Sequence, residues 1–432
     1  MRALLGDNWA DGTTSLSSNG AAVSTPRTLR AIYIAVGLST ASVAPFVPVI
    51  LKERGLDPAA IGVVAALGAL MATLVVPAWG HLADVLVGRA RAFRIGLLLA
   101  TASAASLLFN LPVVAIAGLL ATFTVFASLF IGLADVLAMA DLPAPERQYG
   151  AVRALASLSF TFGIVAVGFL YSWAGYGVAP AVFLVWSTTL LLLVRRIPDG
   201  TRESRRRLAA DMPGGKSGGR LGSVGRAFAV QPRLWAVLAV FAFAFAGLQG
   251  SLTFIGVRIV ELGGKPSDVA LSFGVAAVAE IPGLVAAGWI GRRIGLRWLL
   301  VASLMLYGLS VASWGILPYA IAINATRAIT GLCNGSLMTA RVLIVPRLLP
   351  QSLLATGQVL FQAATLGFGT VIGSVIGGVA YAALGPTAFF AAAGSVAIIG
   401  GVAAWFVLAG DVGGRLTGRT ADPLELAEPP IP

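Results

Sequence analysis

The chain has 432 residues, of which 58% are hydrophobic and 11% charged, and its mean hydropathy is +0.90. So little charge cannot cover a water-facing surface, which excludes a soluble globule and makes lipid the solvent. The formal net charge of +12 then reads as membrane orientation and attraction to anionic headgroups. It does not read as nucleic-acid binding, because no soluble stretch is long enough to present a duplex-binding surface.

Residues 1–28 are polar, with acidic residues ahead of the first apolar run and no short cleavable core, so they are expected to form a disordered cytoplasmic tail. Six segments follow near 29–51, 58–82, 93–111, 113–140, 150–172 and 178–195, and six more near 234–257, 267–290, 298–316, 318–345, 353–381 and 386–409. Each is long enough to cross ~30 Å of hydrocarbon as a helix. The reading is an all-α membrane protein with twelve spans in two six-helix bundles, residues 29–195 and 233–409. Residues 196–232 change composition abruptly, with Arg205-Arg206-Arg207 ahead of a Gly-, Ser- and Lys-containing run, and are expected to be a flexible linker. Gly215-Lys216-Ser217 is not a phosphate loop, since Ala210 replaces the glycine required five positions earlier and no strand precedes it. Residues 410–432 read as a second disordered tail.

Lys and Arg alternate between connections. Arg89, Arg91 and Arg94 follow the second span, whereas the connections after spans three, five, nine and eleven carry none. This positive-inside pattern places both termini in the cytoplasm of a cell (inner or plasma) membrane, with Lys52, Arg54, Arg258 and Lys265 as outer-side exceptions. Trp173, Trp289, Trp298 and Trp314 fall near predicted interfaces and are expected in the aromatic belt. Cys333, the single cysteine, excludes an intramolecular disulfide.

Charges within spans carry the most information, because each costs ~2.5–3.5 kcal/mol to insert at the centre of a helix. They are Asp135 in span four, Arg153 in span five, Glu280 in span eight, and Arg327 and Arg341 in span ten; Arg153 and Arg341 lie near enough to a helix end to snorkel instead. Arg327, Asn334 and Arg341 recur every seven residues and so share one stripe. Gln358 and Gln362 align on span eleven, and Gln249 is near the middle of span seven. A polar cavity between two helical halves would gather Asp135, Arg153, Gln249, Arg327, Asn334, Gln358 and Gln362; alternatively, single amides simply join helices. Gly369, Gly373 and Gly377 form a small-residue face suited to close helix packing.

The end of span two, with Gly80, Asp84, Gly88 and Arg89, is repeated at the end of span eight, with Gly288, Arg292, Arg293 and Gly295. Glycines there allow helix ends to approach closely, and the pattern reads as a duplicated conformational latch. In these features the chain resembles the major facilitator superfamily, over nearly all of residues 29–409. The first copy has one residue more than the usual spacing between Asp84 and Gly88, and the second has Arg292 where the family has an acid. A narrower resemblance is to the lactose-permease and phenylpropionate-permease branch. Asp135, with Tyr149-Gly150-x-x-Arg153, looks like that branch's substrate-holding acid and arginine, and Ala279-Glu280 looks like its proton-linked acid. Arg327 and Thr330 stand where sugar symporters have a His and a carboxylate, so their proton relay does not carry over.

The expectation is a secondary active transporter of a small polar or anionic organic solute such as a sugar, nucleoside or aromatic carboxylate. It would act as a monomer by proton symport, with Glu280 and Asp135 as proton-coupling acids and with no cofactor or metal. Alternatives are proton-coupled efflux of amphipathic compounds and a non-transporting membrane sensor. An enzyme is not expected, because no nucleophile, base and orienting group converge.

Overall fold

The computed structural model describes residues 26–109, 111–142, 145–195, 197, 220–410 and 414, and they are helical with no strand among them. Spans 1 to 6 are Arg27–Glu53, Pro58–Gly80, Arg89–Leu108, Val114–Met139, Gln148–Ala174 and Tyr176–Val194. Spans 7 to 10 are Arg233–Glu261, Pro266–Ile294, Leu296–Ser313 and Ala320–Leu348. The final apolar stretch, Gln351–Val407, is too long for one crossing, and Gly385 breaks it at φ 77° and ψ 172° just before Pro386. That break separates spans 11 and 12 and completes a twelve-helix membrane fold. Large apolar side chains such as Phe162, Trp173, Ile376 and Phe406 point outward, as lipid contact requires. Within the expected linker the described residues include a helix, Arg220–Val230, docked by the stacking of Phe228 on Trp235 at 3.9 Å. Of the expected tails the described residues include 26–28, which already belong to the first helix, and 410 and 414, the Gly414 carbonyl accepting from Leu296 N–H and from Arg347 Nη1; the rest, and Gly215–Ser217, lie outside the described residues.

The two halves repeat one another in backbone detail. Left-handed glycines close equivalent connections: Gly55 and Gly263 after spans 1 and 7, Gly88 and Gly295 after spans 2 and 8, Gly175 and Gly385 after spans 5 and 11. Aromatic pairs are repeated too, with Phe46 on Tyr171 at 5.1 Å and Phe254 on Tyr381 at 5.2 Å. At the duplicated latch, Gly88 (φ 98°) and Gly295 (φ 93°) occupy a conformation that an L side chain enters only with strain. The extra residue of the first copy is absorbed by a π-turn over Ala83–Val87, closed by the Gly88 N–H donating to the Ala83 carbonyl. The second copy ends without one, Gly295 N–H donating to Gly291. The close approach expected at Gly80 is not present: a Cβ there meets nothing within 4 Å, and one at Gly288 meets only the Arg292 side chain. It is the turn glycines that the geometry requires. Asp84's side chain lies outside the described residues.

Contacts between the halves gather at the end of the bundle distal to the linker. Gly168 packs on Ala270 and Pro266, Gly62 and Gly378 pack against each other, and Gly256 receives Val49. The Ser267 N–H donates to Ser172 Oγ at 2.9 Å, and Lys52 Nζ stands 3.2 Å from Glu261 Oε1. Within the second half, Tyr381 donates to the other oxygen of Glu261 and holds that carboxylate in place. These contacts close the distal side, so the space between the halves opens toward the linker side.

Within the second half, the expected small-residue face lies where it was placed. Gly373 lies on span 7 with Ala246 and Gly250 backbone where a Cβ would be, while Gly369 faces Phe245 and Gly377 faces Phe389. Gly373→Val should therefore overpack this seam and cost about 1–3 kcal/mol. Thermal unfolding in detergent should show a lowered midpoint, whereas Gly80→Ala should leave it within error.

Candidate functional site

Spans 8 and 10 pack backbone against backbone around the centre of the second half. Cβ atoms built on Gly283, Gly331 and Gly335 would collide with the backbone of Leu332, Ala276 and Glu280 respectively, so only glycine permits this separation. Asn324 Nδ2 donates to the Asp268 carbonyl at 3.0 Å and Arg327 Nε to the Ser272 carbonyl at 3.1 Å, tying the same two helices together. The seam fixes the polar side chains between them.

Two of those side chains are opposed across the seam. Asn334 Nδ2 donates to Glu280 Oε2 at 2.9 Å, at the middle of both spans. One turn or two toward the distal side, Arg327 is 4% exposed and also donates from Nη1 to Thr330 Oγ1 at 3.0 Å. Its guanidinium lies 5.7 Å from the Phe273 ring centroid and 5.5 Å from that of Trp314, distances at which an aromatic face stabilises a cation. Glu280, Arg327, Thr330 and Asn334 line a cavity of about 160 Å³ together with Tyr307 and an apolar wall that includes Phe160, Leu252 and Phe273. Among the described residues, Phe160, from span 5, is the one lining residue contributed by the first half.

Asp135 and Arg153 form a separate cluster. Arg153 Nε stands 3.5 Å from Asp135 Oδ1, and the Tyr33 hydroxyl donates to that oxygen at 2.7 Å. Both charged side chains remain about one third exposed. Neither lines the central cavity, so the structure divides into two groups what the sequence reading gathered into one. Gln249 is half-buried on span 7 and likewise outside the lining. Gln358 donates to the Val342 carbonyl at 3.2 Å and so joins spans 11 and 10, while Gln362 is exposed. Arg341, readable as an interfacial anchor, is only 9% exposed, donates to Thr365 Oγ1 at 2.9 Å and stands over Phe245 at 5.1 Å. Trp314 leaves the expected belt: it is fully buried, with Nε1 donating to Thr326 at 2.8 Å, whereas Trp173, Trp289 and Trp298 are exposed. Sequence reasoning did not find Tyr33, Tyr307, Phe160 or Phe273; a Tyr inside an apolar span was the available signal for the first two.

Two pseudo-symmetric six-helix halves, closed at one end around a mid-depth polar cavity, define a membrane transporter of small molecules. The chain belongs to the MFS_1 like family, a branch of the major facilitator superfamily, which it matches over residues 28–392. Among curated relatives it is similar to the maltose permease of Geobacillus stearothermophilus, 28% identical over 360 residues that span 80% of this chain and 85% of the permease. The uncharacterized transporter YwbF of Bacillus subtilis (strain 168) is 22% identical over 81% of this chain and 85% of its own. The nucleoside transporter NupG superposes with a TM-score of 0.76 at 13% identity, over 89% of this chain and 99% of that structure. A peptide transporter POT in complex with sulfate gives 0.69 at 15% identity, over 92% and 96%. At these identities the two structures establish the fold alone.

The Asp135–Arg153 geometry sets an expectation for stability. Asp135→Asn leaves Arg153 without its counter-ion, and Asp135→Asn with Arg153→Gln removes both charges. The partly exposed pair should show a coupling of about 0.5–1 kcal/mol, with the double variant melting above the sum of the single effects. Strict additivity would mean that the pair contributes nothing.

Proposed function

We propose that the protein carries a small polar or anionic organic solute across the cell membrane by alternating access, as a monomer, coupled to proton symport. The observation behind this reading is the Glu280 carboxylate, half-buried in the mid-depth cavity, held by Asn334 and on the same wall as Arg327. A carboxyl group there is reachable by solvent through the linker-side opening and can exchange a proton. Rocking the halves about the cavity would expose it to the other side. The linker side is taken as the cytoplasmic side on the distribution of basic residues, so the conformation described faces inward. Asp135, paired with Arg153 nearer the linker-side mouth, is a second candidate proton carrier and a contact for entering substrate. The 28% identity to a maltose permease supports import of a polar solute. Phe160, Leu252 and Phe273 in the lining favour a second reading, export of amphipathic compounds, and the direction of proton-driven flux in proteoliposomes separates the two.

If Glu280 carries the coupled proton, Glu280→Gln keeps the hydrogen bond with Asn334 and removes the titratable site. Accumulation driven by an imposed pH gradient should disappear while solute exchange at equal pH survives. Normal accumulation by Glu280→Gln across a range of pH would assign Glu280 a structural role.

The Lys52–Glu261 pair should bias the protein toward the inward-facing state by no more than an exposed pair can, about 0.2–1 kcal/mol. A cysteine introduced at Ala277, labelled in vesicles with an impermeant maleimide, should react faster from the cytoplasmic side. Glu261→Gln should raise labelling from outside by about two- to fivefold.

A further inference from the structure

We infer that the solute is an organic monoanion, a carboxylate on a compact apolar body, whose head is bound by Arg327; this rests on the transport reading above. Away from the helix ends, the described residues of the second half bury two guanidinium groups, Arg327 at 4% and Arg341 at 9% exposure, and present one acid, Glu280. Neither arginine has a carboxylate within 4.0 Å among the described residues, where the ion pairs are Lys52–Glu261 and Arg153–Asp135. With Glu280 ionised this interior holds one positive charge in excess, and with Glu280 protonated it holds two. A monoanion cancels the first excess and halves the second, so its charge is favoured in either protonation state of Glu280.

The donors point the same way. A guanidinium has five N–H groups, and Arg327 directs Nε to Ser272 and one Nη1 hydrogen to Thr330. Those two bonds fix the plane of the fork, and its remaining edge meets the Tyr307 hydroxyl on the cavity wall, where an incoming carboxylate would accept from both. An edge-on guanidinium matches a carboxylate in charge and geometry. Thr330 and Ser272 orient Arg327 without neutralising it, unlike the Asp135 that neutralises Arg153. The remaining wall fits the rest of such a molecule: Phe160, Leu252, Phe273, Ala276 and Ala277 provide apolar surface and no hydrogen-bond partner. Sugar hydroxyls facing that wall would lose their bonds to water without replacement, whereas an aromatic or branched aliphatic body would not.

Isothermal titration of the purified protein with benzoate, phenylacetate, benzamide and maltose tests this, with counterflow in proteoliposomes as the readout of transport. The expected result is saturable binding and counterflow of a carboxylate, with benzamide weaker by roughly tenfold or more because it carries no charge for Arg327. Arg327→Gln should abolish the preference for the carboxylate over its amide, and Arg327→Lys should keep the preference at lower affinity, since it retains charge but not the fork. Size-exclusion chromatography and an unchanged melting midpoint for Arg327→Lys keep the comparison to folded protein. Binding and counterflow of maltose without any carboxylate, or equal binding of benzoate and benzamide, would overturn the monoanion and leave transport intact. Carboxylate binding that persists unchanged in Arg327→Gln would overturn the assignment of the head group to Arg327.

Discussion

A charged side chain at the middle of a membrane helix costs about 2.5–3.5 kcal/mol to insert, and the two halves of this protein meet that cost differently. The first half pairs it away: Asp135 lies against Arg153 and accepts from Tyr33, so spans 1, 4 and 5 share a nearly neutral group. In the second half, Arg327 is solvated by a backbone carbonyl, a threonine hydroxyl and two aromatic faces, and Glu280 by an asparagine. Arg327 is buried away from bulk water, and among the described residues neither group has an oppositely charged neighbour in contact. The fold keeps them because the glycine seam between spans 8 and 10 holds the backbone groups close enough to serve as solvent.

That seam also explains how a polar centre coexists with a mobile molecule. Helices 8 and 10 contact through backbone, where no side-chain rotamer has to be ordered, so the polar groups they carry are positioned at small entropic cost. The contacts between halves are of another kind. Apart from small-residue packing, they consist, among the described residues, of one partly exposed ion pair and a serine-to-backbone bond, each worth little alone. Strong attachments lie within a half and weak ones between halves, which is the distribution that rigid-body rocking requires.

The sequence displayed the architecture because membrane insertion leaves few ways to arrange apolar runs of this length. The count of twelve, the division into halves and the two repeated glycine turns were all legible, and the one-residue surplus between Asp84 and Gly88 appears as a π-turn. What was not legible was rotation about each helix axis. A seven-residue interval told that Arg327, Asn334 and Arg341 share a stripe, but not that Asn334 meets Glu280 while Arg341 meets Thr365 on span 11. Gln358 and Gln362 were gathered with the cavity by the same periodicity, yet the first joins helices and the second is exposed. Trp314 was misplaced because proximity to a span end is a one-dimensional signal, and its ring turns inward under Arg327. The split between the Asp135 and Glu280 groups depends on how the halves are tilted, which no local pattern encodes.

Among the described residues, Phe160 is the one cavity-lining residue that the first half provides. A solute held almost wholly by one half keeps the same neighbours whichever side of the membrane the cavity faces, so its affinity changes between the two states only by what Phe160 adds or withdraws. A ligand with equal affinity for two conformations cannot move their equilibrium. Occupancy by itself would then exert almost no pull on the conformational cycle, and the bias would have to enter through the ionisation of Glu280, whose charged form costs more when the halves close over it than when the cavity is open to water.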